Sequence, residues 1–471
     1  MAQKTSVTKM IGVGGFIALT GSMVATVYGY PTFATSGFAL VFYLLLAGIF
    51  FFLPTALISA EMATGEGWQL GGVYKWVGTA FGSRWGFVAI FLQWFQITIG
   101  FVTMLYFIVG ALSYLFDAPI INSNQLYKFL VVIAIFWFVT YLNLKGAGFI
   151  SKLTSISFTA GIILPAALLI IMAIIYVIQG NTISVTMNWH TLIPDFSQVK
   201  TLVVLVAFML SYLGIEASAV HVNELSNAKR NYPIAILILA FGAIVLNIFG
   251  ALSVGFVVPV DKIELNAGIM QAFEHYLTLY NIKWLIPVSA FLLALGAFGE
   301  VAAWVSGPIK GLQTTAMDGL LPTRFKKINE NGVSVSLVIA QGIIVTIWAA
   351  LLTFGGTGGN ISFLLAMALT VVAYLSMYIL LFITYFVLRS KHGDVHRDYI
   401  VPGGKFGRFV IPFLGLLMTI GAFIISFFPP SSLGASEIGS YEMILIIGFV
   451  VIMFLPHIIY HFRPNKKEIT T

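Results

Sequence analysis

The chain has 471 residues, of which 59% are hydrophobic, 15% aromatic and 9% charged, with no Cys and a formal charge of +7. Soluble domains carry about 25% charged residues and at most about half apolar ones, and a water-soluble fold of this length has too little interior to hide so much apolar surface. Lipid therefore takes the place of water and the chain reads as an all-α polytopic membrane protein, while the lack of Cys excludes disulfides, thiolate nucleophiles, iron–sulfur clusters and Cys-rich zinc sites.

A bilayer core takes roughly 20 apolar residues per helix. Twelve runs meet that need, near 10–36, 38–60, 85–116, 127–144, 153–178, 200–222, 232–259, 284–309, 334–354, 361–388, 409–429 and 441–461. Several are too long for a straight span, which predicts tilt or breaks. The first is too long for a cleaved signal peptide, and eleven more follow it. Lys4 and Lys9 flank its start. With that end cytoplasmic, twenty Lys and Arg fall on the cytoplasmic side and four (Lys128, Lys200, Lys262, Lys283) on the other. This asymmetry predicts that both termini are cytoplasmic. It also accounts for the positive charge through topology and anionic lipid, with no nucleic-acid partner. The loops are short. The stretch from Asp261 to Tyr276 mixes charged and apolar residues and reads as an amphipathic cap at the interface.

Function in such a chain is sought at interrupted helices and intramembrane charges. The first run is interrupted at Tyr28-Gly29-Tyr30-Pro31, where Pro31 lacks an N–H and disfavours helix at the residue before it. The sixth carries Gly214-Ile215-Glu216-Ala217-Ser218 at mid-membrane. Alone, each feature is better explained by a kink or a packing notch. Spans one and six correspond if two five-helix units repeat, over 10–178 and 200–388, with 409–461 appended. The whole of 1–471 then forms one transporter domain of the inverted-repeat kind. Unwound backbone offers bare N–H groups to a carboxylate and bare carbonyls to an ammonium. The N–H groups around Thr32, Phe33 and Ala34 are the carboxylate candidates, and the carbonyls from Ala25 to Val27 the ammonium candidates. Together they suit a zwitterionic α-amino acid.

Of seventeen acidic residues, only Glu216 and Glu300 fall deep in a predicted span. An acid there costs about 2.5–3.5 kcal/mol on insertion scales, so it faces the protein interior. Either acid serves transport or is a structural carboxyl between helices. Trp304 shares a helix face with Glu300, and Tyr374 with Tyr378, at i, i+4 spacing. The tyrosines either line a cavity or pack the bundle. His221 follows Glu216 as a proton-relay candidate or an ordinary interhelical donor. The sequence holds no metal-ligand cluster, phosphate loop or nucleophile elbow, so neither a cofactor nor an enzyme activity is expected.

The stretches Tyr30-Pro31-Thr32-Phe33-Ala34-Thr35-Ser36-Gly37, Ala60-Glu61-Met62-Ala63-Thr64, Pro194-Asp195-Phe196-Ser197, Gly214-Ile215-Glu216-Ala217-Ser218-Ala219, His221-Val222-Asn223-Glu224 and Ser426-Phe427-Phe428-Pro429-Pro430 together resemble the glutamate/GABA antiporter family of the amino acid–polyamine–organocation superfamily. The likeness covers essentially the whole chain. It implies a leucine-transporter-like fold of twelve helices, a 5+5 inverted repeat plus two C-terminal helices, in the cell membrane. It also implies exchange of an amino acid for its decarboxylation product, in functional partnership with a cytoplasmic decarboxylase. By position, Tyr28, Glu216, Glu300, Trp304, Tyr374 and Tyr378 are then substrate-pathway residues. Glutamate/GABA members usually carry Glu where this chain has Gly29. The missing side chain adds space and deletes a charge, so an aromatic pair such as tyrosine/tyramine or histidine/histamine stands beside glutamate/GABA. A proton-coupled symporter using the same carboxylates is the alternative mechanism.

Overall fold

The computed structural model describes residues 12–68, 71–196, 202–355, 359–430 and 433–464. Lys4, Lys9, Lys200, Lys466 and Lys467 of the charge asymmetry, and Ser197 of the family stretches, lie outside them, as does the side chain of His221. Among the described residues the secondary structure is helical, with one isolated bridge between Gly65 and Arg397. In hydrocarbon every backbone polar group must find a partner inside the protein, and apolar runs of this length do so as helices.

Among the described residues, ten helices are long and apolar enough to cross a membrane. The remaining two predicted runs are the ones predicted to break, and both are broken. The first run forms α1 (Val13–Val24), an irregular stretch, and α2 (Tyr30–Ala34). Then come α3 (Ala39–Ala63), α4 (Gly72–Phe81), α5 (Ser83–Leu115), α6 (Gln125–Asn143) and α7 (Ala147–Ile178). The sixth run forms α8 (Leu205–Leu210), a turn through Gly214, and a 3₁₀ segment, Ile215–Glu224. The rest are α9 (Ala228–Val257), α10 (Gly268–Leu279), α11 (Leu285–Met317), α12 (Val335–Phe354), α13 (Gly359–Lys391), α14 (Gly404–Ile425) and α15 (Ala435–His461).

The layout follows from which helices are hidden. In its most apolar stretch α5 is 94% buried, whereas α14 and α15 are 22% buried, so α5 is the central post and the last two helices face lipid. Around α5 pack α11 and α13. Helix α7 meets α11 where Gly161 lies against Gly296, a contact too close for a Cβ on either residue. The loop before α5 contains α4, an element with no counterpart in the sequence reading; it buries Val73, Tyr74, Trp76 and Val77. The predicted cap is α10. It does not lie on lipid by its apolar face: Phe273, Tyr276 and Leu277 are buried in protein, Tyr276 donates to the Ser253 carbonyl at 2.8 Å, and Gly268 abuts Pro31.

The helices outrun the predicted spans, so acid and base reach their ends. Glu61, one residue past the predicted second span, is fully enclosed. Arg389 Nε (3.2 Å), Arg397 Nε (3.4 Å), the Tyr385 hydroxyl (3.2 Å) and the Val401 N–H (2.9 Å) surround its carboxylate. Arg397 also caps the end of α13 through the Leu388 and His392 carbonyls and stacks on Trp68. Burial pulls the Arg397 guanidinium below its ordinary range, and the charge of Glu61 opposes that pull. This clasp ties the C-terminal end of α3 to that of α13.

Candidate functional site

The two breaks face each other beside α5. At the first, the N–H of Ala25 still reaches the Gly21 carbonyl at 2.8 Å, and helix resumes when Tyr30 donates to Val27 and Phe33 to Gly29. Among the described residues, no backbone carbonyl takes the N–H groups of Thr26, Val27, Tyr28 or Gly29. Of the predicted anion donors, the N–H of Phe33 is used in resuming the helix, as is the carbonyl of Val27, while the N–H of Thr32, like those at 26–29, meets no backbone carbonyl among the described residues. The five residues of α2 also sum few peptide dipoles, so an anion there depends on individual N–H groups. Ala34 packs against Gly255 of α9, away from the break.

At the second break Gly214 takes φ +106°, a conformation that L side chains rarely adopt, and the ring of Trp304 covers the position a Cβ would need. The freed Gly214 N–H donates to the Tyr378 hydroxyl at 2.8 Å, which in turn donates to Glu216 Oε2. Glu216 Oε1 accepts from the Tyr374 hydroxyl at 2.5 Å and from Gln93 Nε2 at 2.8 Å. Glu216 is fully buried and three donors converge on it, the arrangement that an ionised carboxylate accepts. Ser218 turns away from this centre, donating to the Ile215 carbonyl and meeting the Tyr232 hydroxyl at 3.1 Å.

Trp304 joins the breaks. Its indole N–H donates to the Met23 carbonyl at 3.2 Å, and its ring meets Tyr374 edge-on at 6.3 Å. Glu300, one turn away, is 1% exposed and its Oε1 has no hydrogen-bond partner. Two small cavities flank Thr26, Tyr28 and Leu210. One, of about 20 Å³, is bounded by Gln96, Thr370, Tyr374 and Trp304; the other, of about 10 Å³, lies between Gly29, Phe33, Ser211 and Met367. Each holds about one water molecule and neither admits an amino acid. The site is therefore closed. On the α2 side it is roofed by a stack of Phe33 on Phe208 (4.8 Å) and Phe208 on Tyr43 (5.1 Å).

The space expected from Gly29 is taken. A Cβ there would lie 2.6 Å from the Phe33 ring, which rests on the bare backbone. Gln93 and Gln96 are the polar site residues that the sequence reading missed; their signal was two buried-type amides one turn apart on an otherwise apolar run.

The amino acid permease profile matches residues 11–454. The chain belongs to the amino acid permease family. It is 50% identical over 464 residues to a glutamate/gamma-aminobutyrate antiporter of Lactococcus lactis subsp. lactis (strain IL1403), covering 98% of this chain and 92% of that protein. The corresponding antiporter of Lactococcus lactis subsp. cremoris (strain MG1363) matches over the same span at the same identity. An uncharacterized transporter of Legionella pneumophila is 33% identical, over 95% of this chain and 96% of its own length. The resemblance to the glutamate/GABA antiporters is thus borne out. The permease is a multi-pass membrane transporter and not an enzyme.

Proposed function

We propose that the permease exchanges external glutamate for internal GABA by alternating access, in the cell membrane, with both termini cytoplasmic. One observation carries the reading: two interrupted helices and a buried carboxylate–tyrosine network enclose a closed site in a chain half identical, end to end, to glutamate/GABA antiporters. In this reading the twelve spans form two five-helix repeats, 10–178 and 200–388, followed by 409–461. The substrate carboxylate takes bare N–H groups of the first break, among Thr26 to Gly29 and Thr32. The ammonium takes break carbonyls around Ala25 and the unpartnered oxygen of Glu300. Trp304 and Tyr374 wall the side chain. Tyr28 closes the cavity beside them.

The aromatic pair loses its support, because Phe33 already fills the room above Gly29. Exchange of a glutamate monoanion for a GABA zwitterion carries one negative charge inward, worth about 2.3 kcal/mol per 100 mV. A cytoplasmic glutamate decarboxylase, consuming one proton and releasing carbon dioxide, would complete the cycle.

Counterflow in proteoliposomes tests this. External labelled glutamate is expected to enter only vesicles loaded with GABA or glutamate, and entry is expected to follow an imposed potassium-diffusion potential. Uptake into empty vesicles that follows a proton gradient would establish a symporter instead. Faster exchange of tyrosine for tyramine than of glutamate for GABA would overturn the substrate assignment.

A further inference from the structure

We infer that Gln93 is a positioning residue for exchange: its side-chain amide, on the central helix, fixes Glu216 in the sixth-span break. The inference rests on the site reading above and extends it to a residue on a different helix.

Gln93 is 2% exposed and lies on α5, the most buried of the spans. Its Nε2 donates to Glu216 Oε1 at 2.8 Å. Its backbone carbonyl accepts from Gln96 Nε2 at 3.0 Å, and Gln96 borders the larger cavity. The side-chain amide therefore joins the rigid post to the carboxylate of the broken helix, while the backbone carbonyl of the same residue holds the cavity wall. The other two donors to Glu216, Tyr374 and Tyr378, both come from α13, and Tyr378 also holds the Gly214 N–H. Without Gln93, α13 alone would hold the carboxylate, and the broken helix would lose its polar tie to α5. A hydrogen bond to a charged group is roughly twice as strong as a neutral one, and a buried acceptor that loses its donor bears the desolvation cost of the unmade bond. The titratable groups bonded to the carboxylate are Tyr374 and Tyr378 of α13; Tyr232 of α9 bonds Ser218 two residues on, Tyr28 lines the cavity that Gln96 and Tyr374 border, and Glu300 of α11 lies one turn from Trp304 on that wall.

The chemistry supplies a test that separates donation from bulk. Gln93→Leu keeps the volume and removes the donor. Gln93→Glu restores a donor only while the new carboxyl is protonated; once both carboxyls ionise they repel at hydrogen-bond distance. Glutamate/GABA counterflow is measured across pH for each, together with detergent-solubilised monodispersity. The expected result is a loss of about tenfold or more for Gln93→Leu at every pH, the scale of one charge-assisted bond. Gln93→Glu is expected to stay near wild type at the acid end and to fall progressively below it as pH rises. Wild-type exchange by Gln93→Leu would overturn the inference, as would a Gln93→Glu profile parallel to wild type. If Gln93→Leu does not fold, the Gln93→Glu profile decides. Absence of counterflow in the wild-type protein refutes the exchange reading itself, and wild-type counterflow with unchanged variants refutes only the role of Gln93.

Discussion

A glycine at position 29 does work opposite to what its missing side chain suggests. Deleting a side chain normally opens space, yet here the ring four residues on settles into it. Gly29→Ala should therefore destabilise the protein by about 1–3 kcal/mol through overpacking. Adding Phe33→Leu should recover most of that loss, and thermal unfolding in detergent measures both. An alanine variant as stable as wild type would show that the ring moves freely. Tyr378 is a second single-residue lever, because its hydroxyl serves both the Gly214 N–H and Glu216. Tyr378→Phe leaves a buried donor and a buried acceptor short of a partner, at about 1–3 kcal/mol for each. Reduced thermal stability together with lost counterflow is the expected result; a variant that is merely less stable would confine Tyr378 to structure.

At the scale of elements, the breaks differ in cause. The first is marked by proline: α1 ends at Val24, and helix resumes only at Tyr30, with Pro31 in the first turn of α2, where its missing N–H would have no helical partner anyway. The second is made by a left-handed turn that only glycine enters cheaply, placed directly under the Trp304 ring. Gly214→Ala thus meets two obstacles at once, about 1–3 kcal/mol of backbone strain and overlap with Trp304. It is expected to lower the yield of monodisperse protein. Gly214→Ala combined with Trp304→Leu should recover part of the loss, since it removes the overlap and leaves the strain. No recovery would place the whole cost in the backbone.

At the scale of the molecule, the contacts along α3 differ in how easily they part. A stack of three aromatic rings covers the α2 side, and the Glu61 clasp joins α3 to α13 at the opposite end. Ring stacks separate at little cost, whereas removing one member of a buried ion cluster costs about 3–5 kcal/mol. The clasp is thus expected to hold α3 and α13 together as one body while the ring side opens. Glu61→Gln should lower the unfolding temperature markedly, with Arg389 and Arg397 left facing one another. An unchanged temperature would show that solvent already screens the cluster.

The bilayer made much of this legible in one dimension. Hydrocarbon forces each long apolar run into a helix, so the spans, the two interruptions and the two mid-membrane acids could be read as local properties, each needing only a residue and its chain neighbours. Partners could not. The sequence carries Glu216 and Glu300 as two equivalent buried acids, but packing surrounds the first with Gln93, Tyr374 and Tyr378 and leaves an oxygen of the second unpartnered. Glu61, outside any predicted core, became the centre of an ion cluster because a loop more than 300 residues away folds onto it. Local sequence determines where the backbone must break, since Pro, Gly and lipid act within a turn or two. Which groups then meet across the break depends on the approach of helices far apart in the chain, and only the tertiary structure decides that.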